Sequence, residues 1–454
     1  MRCAKSPSLP RQFETFAWES SRPRTAFPMR KILILAPTFF PDTVVAAVRV
    51  SQWARHLPEF GWSPLVLCRH RGHTAASEAL AEKLHAEVRV EYLGSRAEAP
   101  KQVATRSQRR RAAPVQGILA HLLEAVSVPD ALVWKWKSLS AQAIAISRQW
   151  RPDVVLSSST PHSIHLAGRR VAKATGAAWV ADFRDPYLID CRHQPRGLKR
   201  LLFKQHQQFE RGIYHDADLC VHAIPLHGRW ASRRYPFARD RIRILTNGIP
   251  SELLDEGFVE SAAQHYPVGS PRISIRAVGV MGQGAVHLIA AALRQLLNQG
   301  MDVGFRHVGY ARDSSDAVPA DLSDRLQLLG PVSHLDALRE IAGAEVLLKY
   351  DDLERAEVIG LSSKLFEYLA TGRPIVAINP TRPDWQLIER LTWCRCLDNP
   401  QPGAVAEALR QAITARVRPP DGWLGAFRNQ YNRRNQTQQL AGWLDELLSH
   451  RGGR

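Results

Sequence analysis

A short polar run before a helical pattern carries the clearest sign of chemistry in this sequence. Ser362 and Ser363 open the pattern and can cap its first turn, and Gly372 can end it before a strand-like run. The exposed N-terminus of a helix presents free N–H groups that suit a diphosphate. Glu367, about one turn inside, can accept hydrogen bonds from ribose hydroxyls. The run indicates a nucleotide site or, equally well, an ordinary capped helix with one acidic residue.

A second polar segment follows the strand-like run 153–156. Polar loops at the carboxyl ends of strands are where α/β sheets bind ligands, so Ser159, Thr160 and His162 are candidates for ligand contact. The alternative is that Ser159 or Thr160 only caps the next helix. His162 and His165 are three residues apart and can share a helix face, but a metal site would need further ligands. No metal site is predicted here.

Three weaker motifs lack the spacing or the position of the chemical sites that they resemble. Asp216 and Asp218 precede a strand, whereas the Asp-x-Asp metal motif of transferases follows one. Cys394-Arg395-Cys396 lacks the second cysteine pair of a zinc site. Gly279, Gly282 and Gly284 do not have the spacing of a dinucleotide fingerprint, although a loop that approaches a phosphate fits them.

Length and charge limit the class of protein. A chain of 454 residues is too long for one core, so two domains of roughly 150–250 residues are expected. The net charge of +18 favours a polyanionic partner. Nucleic acid is not predicted, since no helix-turn-helix, zinc finger or RNA-binding signature is present. Six cysteines are too few for a disulfide framework, which favours a reducing cytoplasm, and no apolar run approaches the length of a spanning helix.

Strand-like runs alternate with helical patterns along most of the chain, which predicts parallel sheets in an α/β protein. The alternation stops in a polar, glycine-containing stretch and then restarts, which indicates two successive doubly wound domains. The predicted divisions are a disordered extension 1–28, a first domain 29–250, a linker 251–272, a second domain 273–425 and a terminal segment 426–454.

The run from Ser363 to Pro374 resembles the donor-nucleotide motif of GT-B fold glycosyltransferases, specifically those of the family 4 type. The resemblance covers about residues 29–450 and depends on the order of several motifs. The other matching segments are 29–34, 40–42, 49–51, 57–62, 179–186, 246–249, 431–434 and 437–440.

The resemblance implies two Rossmann-like domains that face a cleft, with a C-terminal helix that crosses back to the first domain. It implies transfer of a sugar from a nucleoside-diphosphate sugar to a glycan or lipid-linked acceptor, with retention and without metal or cofactor. Surface polysaccharide or lipopolysaccharide assembly, in the cytoplasm or on the inner face of its membrane, is the implied setting. The residues expected nearest the reacting sugar are Asp182, Arg184 and Asp185. The expected donor-binding residues are Ser362, Ser363, Lys364, Glu367, Gly279, Gly282 and Asn247. The expected acceptor-side residues are Pro41, Asp42, Arg49, Ser159, Thr160 and His162.

The sequence departs from the family pattern at several positions. Ile359 stands where the family often has a second Glu, and Arg184 replaces a usual His. An Arg and a Lys that neutralise the diphosphate in many members are absent from 278–284, so Lys364 or Arg276 is expected to substitute. These departures keep open a second hypothesis, a catalytically impaired GT-B protein that binds sugar nucleotides or acts as a scaffold.

Three basic tracts fall in the first domain. The segment 96–111 holds six cations and one Glu, which indicates either a solvated, mobile loop or a loop that faces phosphate or an anionic membrane surface. Residues 134–137, Trp-Lys-Trp-Lys, suit an interfacial anchor or core packing equally. A third cluster runs from Arg192 to Arg200 and includes Lys204. Their position favours a lipid-linked or membrane-adjacent acceptor.

Overall fold

The computed structural model describes residues 29–39, 45–69, 88–94, 127–188, 199–264, 273–311, 318–351 and 360–452. Several predictions fall outside these ranges and stay predictions: the disordered extension 1–28, the acceptor-side residues Pro41 and Asp42, the basic segment 96–111, most of the cluster 192–200, and Ile359.

Parallel strands with helices on both faces form the first domain. Its strands are β1 Arg30–Ala36, β2 Trp62–Arg69, β3 Arg89–Leu93, β4 Val154–Ser159, β5 Ala178–Phe183, β6 Leu219–His222 and β7 Ile242–Ile244. Its helices in the described residues are α1 Val45–His56, α2 Val133–Trp150, α3 Ile164–Thr175, α4 Lys199–Asp216 and α5 Pro225–Arg234. The strand order is β3-β2-β1-β4-β5-β6-β7.

Burial on both faces explains why the central strands read as continuous apolar runs. In β1, Leu33 and Leu35 belong to one core cluster, which includes Trp136 of α2. Ile32 and Ile34 belong to the cluster on the opposite face. Trp136 is therefore a core residue, whereas Trp134 is 66% exposed with Lys137 over its ring. The tract 134–137 thus divides between the core and the surface.

The second domain repeats the arrangement with a smaller sheet. Its strands are β8 Ile273–Met281, β9 Val303–Ala311, β10 Leu326–Leu328, β11 Val346–Tyr350, β12 Ile375–Ile378 and β13 Cys394–Leu397, in the order β10-β9-β8-β11-β12-β13. The helices from the end of the first domain onward are α6 Glu256–Gln264, α7 Gln283–Asn298, α8 His334–Ala342, α9 Ser363–Leu369, α10 Arg382–Ile388, α11 Pro402–Ala415, α12 Trp423–Tyr431 and α13 Arg433–Gly452.

The expected linker 251–272 differs from the structure in its first half. Residues 251–254 form a 3₁₀ turn and α6 follows directly. Leu253 and Ala262 are buried in a core cluster with Leu338 and Ile341 of α8. Because these apolar side chains pack on the second domain, this segment is a helical part of that domain and not a flexible connection.

The C-terminal helix α13 returns to the first domain. Ile249 forms a β-bridge with Asn432 just before α13 begins. Leu440, Ala441 and Leu444 of α13 are buried in the core cluster that includes β1 and α1. The predicted architecture of two Rossmann-like domains with a returning terminal helix is therefore confirmed. No helix among the described residues is long and apolar enough to cross a membrane.

Packing of α13 generates a stability prediction. Leu440 has no exposed surface, so Leu440→Ala should lower the free energy of unfolding by about 2–5 kcal/mol through lost burial and a residual cavity. The adjacent Gln439 is exposed, and Gln439→Ala should change the value by less than about 0.5 kcal/mol. Urea unfolding followed by circular dichroism measures both. Equal effects of the two substitutions would contradict the docking of α13.

Candidate functional site

A cleft of about 540 Å³ lies between the two domains. Strands β8, β9 and β11 contribute their carboxyl-terminal residues, and ligands bind at that edge of parallel sheets. The first domain contributes Arg184, Asp185, Ile224 and Asn247. The second domain contributes Ala277–Met281, His307, Leu348–Asp351 and Gly360–Lys364.

Two glycines keep one wall of this cleft flat. Gly279 and Gly309 are paired neighbours on β8 and β9, and both have positive φ, at 145° and 129°. A Cβ atom on Gly309 would lie 1.9 Å from the Gly279 carbonyl oxygen, so no side chain fits there. Gly279 lines the cleft as a phosphate-approaching loop would. Gly282 instead precedes α7 as its N-cap and is not among the lining residues.

The segment that precedes α9 is fixed from below by α10. The Ser362 N–H donates to Asp384 Oδ1 at 2.9 Å, and Thr381 Oγ1 donates to the Gly360 carbonyl at 2.6 Å. Ser362 occupies the cap position of α9, but its side chain accepts no hydrogen bond from the described first turn. The expected serine cap is therefore replaced by a buried carboxylate that holds the backbone of Ser362.

Lys349 lies at the bottom of the cleft beside that carboxylate. Its Nζ is 2.9 Å from Asp384 Oδ2 and also contacts Asp351. Burial lowers the pKa of Lys349, but the charges of Asp384 and Asp351 outweigh burial and raise it. Lys349 is thus a charged group that two carboxylates already compensate.

The two cations expected to replace the family's Arg and Lys lie in different places. Arg276 is buried on β8, where it donates to Ser274 and Glu340, so it does not reach the cleft. Lys364 lines the cleft and lies 3.4 Å from Glu367. Of this pair, Lys364 is the residue that can meet a diphosphate.

A second, smaller cavity of about 50 Å³ adjoins the cleft. It is lined by Val48, Arg49, Gln52, Trp53, Asn247, Gly248, His334, Ser363, Lys364, Glu367, Arg433 and Gln436. Glu367 is only 3% exposed and faces this cavity, whereas Ser363, Lys364 and Asn247 line both spaces. The structure therefore divides the expected donor-binding residues between two adjoining spaces.

The Asn247–Gly248 turn is held by the start of α13. A Cβ atom on Gly248 would lie 2.4 Å from Gln436 Oε1 and 2.5 Å from Arg433 Cγ. Arg433 Nε donates to the Gly248 carbonyl at 3.2 Å. Only glycine allows this approach, so the turn places Asn247 where the two cavities meet.

Asp182 differs from the expectation that it faces the reacting sugar. It has no exposed surface and accepts hydrogen bonds from Arg49 NH2 at 3.0 Å and from Ser158 Oγ at 2.7 Å. Arg49 also donates to the carbonyls of Leu245 at 2.7 Å and Thr246 at 2.9 Å. Asp182 therefore positions Arg49, and Arg49 positions the chain that leads to Asn247.

Arg184 and Asp185 do reach the cleft, and Thr160 joins them. Arg184 Nε donates to Asp185 Oδ2 at 3.1 Å, and its NH2 donates to Thr160 Oγ1 at 2.8 Å. Thr160 Oγ1 donates to Asp185 Oδ2 at 3.1 Å. Ser159, in contrast, is 1% exposed and donates to the Asp182 carbonyl. The polar segment after β4 thus contributes Thr160 to the site and Ser159 to the fold.

His162 belongs to a buried group of aromatic rings rather than to the open cleft. It is 6% exposed, its ring centroid lies 4.6 Å from that of Tyr187, and its Nδ1 has no partner in the described part of the chain. Burial lowers the pKa of His162 to about 4, although Asp130 and Asp185 oppose the shift. His222, in the same group, has a pKa lowered to about 3 by burial.

Among the described residues there is no group of three or more His, Cys, Asp or Glu side chains that could hold a metal ion. Asp216 pairs with Arg169, and Asp218 accepts the Trp179 N–H at 2.8 Å. Sequence reasoning missed Lys349 and Asp384 altogether. The sign available for Lys349 was a charged residue near the end of a buried apolar strand, while Asp384 gave no sign.

Comparison with known proteins supports the fold. No known protein-family profile and no curated protein matches the sequence. A solved glycosyltransferase from Rickettsia africae matches with 14% identity and a TM-score of 0.58, over 93% of this chain and 99% of that chain. HepE from Anabaena, solved with UDP and glucose, matches with 15% identity and a TM-score of 0.60, over 92% and 99%. WaaG, a glycosyltransferase involved in lipopolysaccharide biosynthesis, matches with 14% identity and a TM-score of 0.56, over 91% and 99%. The chain has the GT-B fold.

Burial of His162 generates a pH prediction. As pH falls below about 6.5, the unfolded chain binds a proton at this residue, while the folded protein stays neutral until about pH 4. The contribution of neutral His162 to the free energy of unfolding is fully present above pH 6.5 and is lost as the pH falls from about 6.5 to about 4. At pH 5 the loss from His162 should be about 2 kcal/mol. His162→Phe should remove that loss, as measured by urea unfolding at pH 7 and pH 5.

The exposed His450 supplies the control for this experiment. His450→Phe should leave the difference in unfolding free energy between pH 7 and pH 5 unchanged. A His162→Phe protein with the pH dependence of the unmodified chain would contradict the proposed burial of a neutral His162.

Proposed function

We propose that this protein is a glycosyltransferase that moves a sugar from a nucleoside-diphosphate sugar to a glycan or lipid-linked acceptor. The observation that carries the proposal is the sharing of Ser363, Lys364 and Asn247 between two adjoining spaces. One space holds a buried carboxylate, Glu367, and the other holds Arg184 and Asp185 from the opposite domain. The ribose, the diphosphate and the sugar of a nucleotide sugar lie one after another, and each needs a different one of these surroundings.

The donor fits with its nucleotide in the smaller cavity and its sugar in the larger cleft. Glu367 accepts hydrogen bonds from the ribose, and the diphosphate lies against the backbone of Ser363 and the ammonium of Lys364. The sugar then extends into the larger cleft toward Arg184. UDP is the nucleotide we test first, because the similar fold of HepE was solved with UDP and glucose.

Charge placement gives the mechanism its physical basis. Breaking the sugar–phosphate bond builds negative charge on the leaving diphosphate. The ammonium of Lys364 and the amide groups of Ser363 and Lys364 at the start of α9 are in place to stabilise that charge, and preorganised groups of this kind lower a barrier by several kcal/mol. Arg184 and Asp185 lie across the cleft, on the side where the acceptor enters.

The proposal also includes retention, independence of metal and the family 4 type. It includes a role in surface polysaccharide or lipopolysaccharide assembly at the inner face of the membrane.

A catalytically impaired sugar-nucleotide-binding protein is the second candidate. Two observations favour it: Asp182 is sealed in the core, and Arg184 and Asp185 are bonded to each other. The two candidates differ in a single measurement. A transferase releases UDP from UDP-sugar in the presence of acceptor extract or, slowly, of water, whereas the impaired protein binds the donor and releases none.

Nucleotide binding generates the third prediction. Lys364→Met should weaken UDP binding about ten- to hundredfold, since a hydrogen bond to a charged group contributes about 1.5–3 kcal/mol. It should affect UMP much less, because Lys364 is assigned to the diphosphate. Glu367→Ala should weaken UDP and UMP equally, because both carry the ribose. Calorimetric titration, preceded by a thermal-shift panel of UDP, GDP, ADP, CMP, their sugars and NAD, measures these affinities.

The control for this prediction removes the same charge elsewhere in the second domain. Arg390 is exposed, so Arg390→Met should leave both affinities unchanged. Failure of the unmodified chain to bind any nucleotide in the panel would contradict the proposed function. Unchanged UDP binding in Glu367→Ala would contradict only the assignment of the site.

A further inference from the structure

A cluster of exposed cations covers one side of the first domain, away from the cleft. It comprises Lys204 and Arg211 of α4 and Arg234 of α5, which line one groove, and we call it the α4–α5 cationic surface. On α4, the exposed positions 204, 208, 211 and 215 follow a spacing of three or four residues, so they share one helix face. The cations therefore form one surface and not a scattered set.

Lys204 and Arg211 form no ion pair with a carboxylate in the described part of the chain. Glu210 of α4 has no exposed surface, accepts the Tyr235 hydroxyl at 2.6 Å and interacts electrostatically with Arg234. Asp216, at the end of α4, pairs with Arg169. Elsewhere in the protein exposed arginines meet acids, as Arg294 meets Asp321 and Arg410 meets Glu407. Lys204 and Arg211 therefore leave positive charge on this surface that no ion pair in the described residues compensates.

The surface also has a groove and an exposed aromatic ring. A groove of about 520 Å³ is lined by Lys204, Gln207, Gln208, Arg211, Arg234, Tyr235, Pro236 and Phe237. Phe237 is 48% exposed, and the Arg211 guanidinium carbon lies 5.9 Å from its ring centroid. Cations around an exposed aromatic side chain match a lipid interface, where phosphates meet the boundary of the acyl chains. A soluble phosphate needs converging cations but gains nothing from the exposed ring.

Hydrogen bonds connect this groove to the loop that enters the cleft. Tyr235 lines the groove and donates to Glu210. Glu210 also accepts the Leu188 N–H at 3.3 Å, and Leu188 lies three residues after Asp185. The cationic surface is therefore joined through two side chains to the loop that carries Arg184 and Asp185.

We propose that the α4–α5 cationic surface docks the protein on an anionic lipid bilayer, with Phe237 at the lipid interface. Docking there brings the acceptor-side domain to the membrane, which suits a lipid-linked acceptor. The binding itself does not depend on the proposed transferase reaction, because it needs neither donor nor acceptor. It is also distinct from the predicted role of residues 96–111, which lie outside the described residues.

The test is co-flotation of the full chain with vesicles of phosphatidylglycerol and phosphatidylcholine, or of phosphatidylcholine alone. The triple variant Lys204→Gln, Arg211→Gln, Arg234→Gln should bind the anionic vesicles about a hundredfold more weakly, since each basic residue near an anionic surface contributes about fivefold. High salt should have the same effect on the unmodified chain through screening. Neither protein should bind vesicles of phosphatidylcholine alone.

A matched variant removes the same charge from the second domain. Arg390, Arg395 and Arg416 are exposed, and their joint substitution by Gln should leave vesicle binding within about threefold of the unmodified chain. Equal losses in the two triple variants would overturn the proposal, because net charge alone would then explain binding. Retained binding in the α4–α5 variant, with loss on charge reversal of Arg106 and Arg109–Arg111, would overturn it in favour of that segment. Release of the protein from anionic vesicles by free glycerol phosphate, at a concentration equal to that of the lipid phosphate, would overturn the proposal. The surface would then bind a soluble phosphate ester and not a membrane.

Discussion

The ion pair between Arg49 and Asp182 is the constraint on which the arrangement of both domains depends. It joins α1 to β5 inside the protein and extends to the carbonyls of Leu245 and Thr246, where the chain leaves the first domain. Removal of one partner would leave an uncompensated buried charge, which typically costs about 3–5 kcal/mol. Because Thr246 precedes Asn247, this pair helps to position the chain where it meets the two cavities, and Arg49 itself lines the smaller one.

The second domain uses the same device on the other wall of the cleft. Lys349 and Asp384 form a buried pair, and Asp384 also holds the backbone of Ser362. Buried pairs of this kind contribute little net stability, because desolvation offsets their attraction, but they fix geometry. Both walls are thus positioned by charges that are already compensated. Lys364 differs from them, since its ammonium reaches both cavities and has a single carboxylate at 3.4 Å.

The apolar runs of the sequence predicted the central strands and the edge strand β10, but they did not predict the edge strands β3, β7 and β13. β1 and β6 are buried along most of their length, so hydrophobic composition alone located them. β7 and β3 lie at sheet edges, where only one neighbour covers the strand, and their residues are partly exposed. β13 was missed for the same reason. Helix α6 was missed because its polar, glycine-containing start resembles a linker, although Phe258 and Val259 pack against the second domain.

For the candidate site, the sequence could indicate residue types but not which side chains reach solvent. Asp182 and Asp185 look alike in a polar motif, yet one is sealed beside Arg49 and the other lines the cleft. Exposure depends on tertiary packing, which brings α1 and β5 together from residues more than a hundred positions apart.

The same argument applies to the net charge of +18. Its excess is not at the cleft, where Lys349 and Arg184 are compensated by carboxylates, but on outer surfaces such as the α4–α5 cationic surface. On the proposed function, the donor diphosphate therefore meets one ammonium and the amides at the start of α9, while the long-range field of the protein is free to orient the whole molecule toward a larger anionic partner.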